Sequence, residues 1–327
     1  MTRYRLRLAF NRLMGLLPRW MWTGIFKTFL TRPELAEAAG FHVYPRMFAS
    51  PFPLLEEIDL ARLDSRRTLP GIDFREREAL QRVSQLCQFA AELDAVPYER
   101  PSPDAPFWFD NGTFTDFDAA TLHAVLRDRK PKRYIELGCG FSSFVSSHAL
   151  AMNAKEGAPC DAVYSDPEPR RDLGQMLATG RVLRERVQTL PSELFTRLEA
   201  NDVLFMDTSH VLKVQSDVLR VLVEIIPALR PGVWVHIHDV FSPYDYPEDW
   251  IRQPVRLTCN EQYGLECLLT GGGPCEVMLP LYLLWKEHRP HLQSLFPRGK
   301  TRPHSFWVRT KQNPGVDAVP RSFEPKP

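Results

Sequence analysis

Downstream of about residue 119, short apolar runs alternate with amphipathic stretches. Arg133–Leu137, Ala162–Ser165, Arg186–Thr189, Val203–Met206, Val233–Ile237, Glu276–Leu279 and Ser305–Arg309 read as strands. Between them, Ala119–Leu126, Ser142–Ala151, a segment near Arg170–Ala178, Val214–Leu229 and Glu261–Leu269 repeat apolar residues at helical spacing. Pro231-Gly232 stops the fourth of these helices, and Gly271-Gly272-Gly273 reads as a loop. Strands alternating with helices predict an α/β fold with a mostly parallel sheet. Val203–Met206 is apolar without a break, which predicts a central strand covered on both faces.

Upstream the pattern differs. Residues 1–32 form a basic segment with Leu6, Phe10, Leu13, Met14 and Leu17 at helical spacing, followed by Trp20, Trp22, Ile25, Phe26 and Phe29. Its charges are Arg3, Arg5, Arg7, Arg12, Arg19, Lys27 and Arg32, with no acid among them. Two readings are open: an interfacial helix on an anionic membrane, or a helix packed on its own protein or a second copy. A transit peptide shares the same character. Residues 33–118 read as an extension or cap rich in proline and aromatics. It holds extended segments at Phe41–Pro45 and Ser50–Pro53, a helix over Ile72–Leu93, and an aromatic loop over Pro97–Phe117. Residues 119–310 form the main domain, and 311–327, with four prolines, a disordered tail.

A net charge of +1 carries no signature for nucleic acid. Six cysteines without a C-x-x-C pair predict reduced, mostly buried thiols and a cytoplasmic protein. No apolar run is long enough to span a membrane, and no secretory signal is expected; the only membrane contact considered is peripheral, through residues 1–32.

The chemistry gathers at the carboxyl ends of the strands, where open α/β sheets bind ligands. The first strand ends in Glu136-Leu137-Gly138-Cys139-Gly140, and a helix opens after it. Glycines one residue apart let the backbone turn tightly and approach a ligand, and the helix start offers unpaired N–H groups. The pattern is not that of a dinucleotide site. Ser143 stands where a third glycine would fall, and an acid before the turn is a poor neighbour for pyrophosphate. Glu136 suits a cationic ligand such as S-adenosylmethionine. The second strand ends at Asp166, which can accept both hydroxyls of a ribose or cap the next helix. The fourth ends at Asp207 with His210 beyond it, and the fifth at His238-Asp239 after His236. A histidine here can take a proton from a hydroxyl at neutral pH. Two aspartates with neighbouring histidine can instead hold a divalent ion, magnesium or manganese before zinc, with Asp207, His238 and Asp239 as ligands.

Asp202–Val211, reading D-V-L-F-M-D-T-S-H-V, resembles a bacterial family of class I S-adenosylmethionine-dependent methyltransferases. So do Val235-His236-Ile237-His238-Asp239-Val240-Phe241, with Pro243, Tyr246-Pro247 and Trp250 beyond it, and Asn260-Glu261-Gln262-Tyr263. Cys139 and Val240 depart from the pattern without removing a polar contact. The resemblance implies a Rossmann-like, seven-stranded, mostly parallel sheet with helices on both faces. It implies S-adenosylmethionine at Glu136, Gly138, Gly140, Ser142, Asp166 and Asp207, and Asp207, His210, His238 and Asp239 on the reacting side. The expected reaction is O-methylation of a small molecule, sugar or glycan hydroxyl. The alternative is a non-catalytic protein that keeps the cofactor pocket and uses its N-terminus at a membrane surface.

Overall fold

A computed structural model describes residues 18–48, 50–169, 173–253 and 258–312. The apolar positions of residues 6–17, the start of the segment at Arg170 and the tail beyond 312 lie outside the described residues. The chain divides into two compact units, Met1–Asp59 and Leu60–Pro327. In the first, helices cover Arg19–Thr31 and Pro33–Ala38. Trp20, Phe26 and Leu30 of the longer helix are exposed. No helix among the described residues is long and apolar enough to cross a membrane.

The second unit is built on a seven-stranded sheet. Its strands are β1 (Arg133–Leu137), β2 (Asp161–Ser165), β3 (Arg181–Leu183), β4 (Val203–Met206), β5 (Trp234–Ile237), β6 (Cys275–Pro280) and β7 (Phe306–Thr310). They lie in the order β3-β2-β1-β4-β5-β7-β6. β7 runs antiparallel between β5 and β6, and the remaining pairs are parallel. The order steps outward from β1 in both directions, so a crevice opens at the carboxyl ends of β1 and β4. Val203, Leu204, Phe205 and Met206 of β4 are all fully buried, so both faces of the sheet centre are covered. The mostly parallel Rossmann-like fold and the central β4 are as expected.

Helix α2 (Asp116–Arg129) packs against both α1 (Glu76–Leu86) and α3 (Phe141–Lys155), and the Arg289–Leu295 helix packs against α1 and α2. α2 buries His123 and Arg127 beside its apolar residues, and Glu92 accepts hydrogen bonds from both. α4 (Glu261–Leu269) meets the segment after β4.

Some expected elements move. The third strand is Arg181–Leu183, while Val187–Thr189 is a single 3-10 turn. Of the expected strand only Val187 is buried, while Arg186, Gln188 and Thr189 are exposed, and none of them pairs with the sheet. The helix from Ile72 starts only at Glu76, where Arg75 adopts a left-handed conformation, and tightens to a 3-10 helix over Cys87–Leu93. The helix after β4 starts at Asp217, capped by Ser216, and widens to a π-helix over Arg220–Ile225. The cysteines are free thiols as expected, but only Cys275 is buried, and Cys267 is exposed.

Three strand ends are stitched by backbone hydrogen bonds. Gly138 N–H donates to the Ser165 carbonyl at 2.9 Å, Asp207 N–H to Leu137 at 2.9 Å and His238 N–H to Met206 at 3.0 Å. Gly138 has φ +82°, and a Cβ there would overlap the Asp207 carbonyl oxygen. Gly138→Ala should therefore destabilise the fold by about 2 kcal/mol or more in urea unfolding. A loss below roughly 0.5 kcal/mol would mean the turn relaxes freely.

Candidate active site

The glycine turn is held from beneath by a buried carboxylate. Glu136 is fully buried, and four hydroxyls donate to it. Ser142 and Ser143 reach Oε1 at 2.8 and 2.6 Å, and Tyr134 and Ser146 reach Oε2 at 2.6 and 3.0 Å. Ser142, expected to touch the cofactor, is itself buried and turned onto Glu136. Burial pushes the Glu136 pKa up, and the four hydroxyls pull part of it back, leaving it near 7. Glu136 therefore fixes the turn and the start of α3, and carries full charge only above neutrality.

Above that support the turn is open. Gly140 has extended backbone, and a Cβ there would meet no protein atom within 4 Å. Its N–H donates to Ser143 Oγ at 3.1 Å. Asp166, half-buried at the end of β2, accepts Cys139 N–H on Oδ2 at 2.9 Å and Glu168 N–H on Oδ1 at 2.7 Å. Each carboxylate oxygen keeps lone pairs for a further donor. The aromatic loop covers the adjoining helix start, with Trp108 edge-on to Phe141 at 5.0 Å.

The second half of the site lies past β4 and β5. His210 Nε2 is 3.3 Å from both Asp207 Oδ1 and Asp239 Oδ2, and its Nδ1 meets Glu261. Asp239 Oδ1 accepts from His304 Nδ1 at 2.9 Å, and His304 Nε2 accepts from Arg302. His210 and Asp239 have φ of 59° and 60°, so both backbones are held left-handed at the site. His236 is fully buried, bonded to Ser305 at 2.8 Å and stacked on Phe205. Burial holds its pKa well below the ordinary value, which makes it a neutral core residue.

His238 is different. It is 3% exposed, and neither ring nitrogen has a hydrogen-bond partner. Its Nε2 lies 3.7 Å from Asp239, and Phe114 packs against the ring. Burial lowers its pKa, but Asp207, Asp239 and Asp118 outweigh that and raise it. His210 behaves alike: burial opposes its charge, yet Glu261, Asp207 and Asp239 raise its pKa well above the ordinary value. Burial would raise that of Asp239, but the histidines around it, His238 first, hold it low. Among the described residues no lysine or arginine pairs with Asp118, Asp207, Asp239 or Glu261. The histidines are thus the cationic partners of these acids.

The expected metal ligands do not meet as one set. Ligand atoms of Asp207, His210 and Asp239 lie within 4.8 Å of one another, as do those of His238, Asp239 and His304. Asp239 is common to both groups. His304 and Asp118 were not singled out from sequence, and Glu261 only as a member of the Asn260–Tyr263 motif. Asp118 accepts the backbone N–H groups of His304 and Ser305, so it anchors the entry to β7. His304 reaches the site through the antiparallel pairing of β5 and β7, a register that no local pattern announces. A separate cavity of about 310 Å³ is lined by residues 66–70, Ile72 and Phe74. Its arginines are already paired, Arg66 with Glu76 and Glu287 and Arg67 with Glu266, so it is no anion site.

Residues 135–240 match the family model described as "Methyltransferase domain". An uncharacterized protein of Archaeoglobus fulgidus is 25% identical over 166 residues, covering 48% of this chain and 74% of its own. The O-methyltransferase from Bacillus cereus in complex with SAH has 12% identity and a TM-score of 0.36, over 72% of this chain and 91% of its own. The N-terminal domain of EvdMO1, in the presence of SAH and D-fucose, has 13% identity and a TM-score of 0.35, over 76% of this chain and 100% of its own. Likenesses of that size assign no residue a role.

The pKa of Glu136 makes a prediction with a definite sign. Between 4.5 and about 7 the folded chain keeps a proton that the unfolded chain has lost. The contribution of Glu136 to stability should therefore fall as pH rises through that window, by up to about 3 kcal/mol. Glu136→Gln should remove this slope, whatever its effect on absolute stability. Urea unfolding across the window decides it, and equal slopes in both proteins would contradict the assignment.

The stretch that matches the methyltransferase-domain model, residues 135–240, runs from β1 through β5 and carries the glycine turn, Asp166, Asp207 and His238.

Proposed function

We propose that the enzyme methylates a hydroxyl of a small molecule, sugar or glycan. The observation that carries this reading is His238, a buried imidazole with two unpartnered nitrogens beside Asp207 and Asp239. A buried polar group without a partner is costly, and a ligand hydroxyl would satisfy it. S-adenosylmethionine, when bound, supplies an electrophilic methyl group on a sulfonium. The open face of Gly140 leaves room for it, and Asp166 offers acceptors to its ribose. Glu136 holds the turn rigid without occupying it. Asp207, directly beside the turn, contributes negative charge towards the sulfonium. His238 accepts the proton of the acceptor hydroxyl, and Asp239 stabilises the imidazolium that results. Positioning of acceptor and methyl supplies the rest of the rate. Phe114 and the aromatic loop exclude water from the histidine face.

A metal-assisted form of the same reaction is favoured by one observation, the two overlapping donor groups that share Asp239. Asp207, His210 and Asp239 combine carboxylate and imidazole donors in a set that suits a divalent ion. Such an ion would lower the pKa of the acceptor hydroxyl.

Calorimetry with S-adenosylmethionine and S-adenosylhomocysteine tests the first premise, and binding of both is expected. Transfer of labelled methyl to a panel of sugars, catechols and glycans tests the second. His238→Asn should lower kcat by about 100-fold, within the range usual for a general base. Its affinity for S-adenosylhomocysteine should stay within about threefold, because the interaction lost is made in the transition state. Absence of cofactor binding would refute the reading, and binding without any turnover would favour a non-catalytic protein. Chelator should suppress turnover, and magnesium or manganese restore it, only if the metal-assisted form holds.

A further inference from the structure

The motif Asn260–Tyr263 is not used by the proposed chemistry, yet each of its residues grips a loop of the site. Asn260 N–H donates to the His210 carbonyl at 3.0 Å, and its side-chain oxygen accepts Leu212 N–H at 2.5 Å. Gln262 accepts Phe241 N–H at 2.6 Å and donates to the Tyr244 carbonyl at 2.8 Å. Tyr263 Oη donates to Asp245. The start of α4 thus brackets both the loop after β4 and the loop after β5. Between these backbone anchors sits Glu261, 1% exposed, with Oε1 on His210 Nδ1 and Oε2 without a partner. A buried carboxylate half-satisfied in this way is expensive, and packing alone does not account for it.

We infer that Glu261 is a positioning residue that acts through His210: by holding Nδ1 it points Nε2 into the gap between Asp207 and Asp239 and fixes the spacing of those two carboxylates. His210 then serves as the strut of the acid pair, set from behind. A carboxylate that orients a histidine through its far nitrogen leaves the near nitrogen in one direction. The left-handed backbone of His210 is held by the same bracket, through the Asn260 bond to its carbonyl.

This inference rests on the methyl-transfer reading, and the test separates the two. With an acceptor found in the panel above, Glu261→Gln should lower kcat at least tenfold, with KM for S-adenosylmethionine within threefold of wild type. His210→Asn should do the same, and the double variant should be no worse than His210→Asn alone within twofold, because both act through one contact. Additive losses, an unchanged kcat, or a rise in KM alone would overturn the inference. Wild-type protein without turnover would sink the methyl-transfer reading instead. The contact is then read by nitrogen-15 spectra of the labelled histidines with S-adenosylhomocysteine bound. A downfield Nδ1–H signal lost in both His210→Asn and Glu261→Gln, with the other histidines unmoved, supports the inference. A His210 signal identical in wild type and Glu261→Gln overturns it. Thermal unfolding confirms that each variant is folded.

Discussion

The constraint on which the site depends lies between Gly138 and the backbone of Asp207. The turn after β1 has no room for a side chain because the end of β4 lies against it. That contact joins the two halves of the site. It places the turn proposed to hold the methyl donor directly beside Asp207. Ladder bonds from Leu137 to Asp207 and from Met206 to His238 carry the alignment onward to β5. The geometry is therefore a property of the sheet, and the loops only complete it.

Electrostatics then divides the acids by task. Glu136 is saturated by four hydroxyls and works as a brace, while Asp166 ties the turn to the end of β2 and keeps lone pairs free. Asp207, Asp239 and Glu261 surround His210 and favour its cationic form. In a low-dielectric pocket these ion pairs are stronger than those the same groups would make in water. His238 sits at its edge with both nitrogens unsatisfied, the feature on which the proposed general-base role rests.

Much of this was legible in the sequence. The alternation of runs gave the sheet, and the unbroken apolar stretch of β4 marked its centre. Polar residues at four strand ends marked the crevice, because a parallel sheet puts them together by topology alone. The rest needed distant pairing. His304 lies beyond residue 300 and enters through an antiparallel register. Asp118 sits on a helix before β1 and reveals itself only by holding the entry to β7. Glu136 stood out as an acid near a glycine turn, but only packing shows its hydroxyl cage, since Ser142, Ser143 and Ser146 look in sequence like ordinary residues of a helix start. Arg186–Thr189 misled as a strand because a single buried valine between polar residues fits a 3-10 turn as well as a short strand.

A structure of the protein with S-adenosylhomocysteine bound tests the central claim most directly. The account predicts adenosine density across Gly140 with ribose hydroxyls on Asp166, and the thioether sulfur facing the gap between Asp207 and His238. Density elsewhere, or a sulfur turned away from that gap, would contradict it.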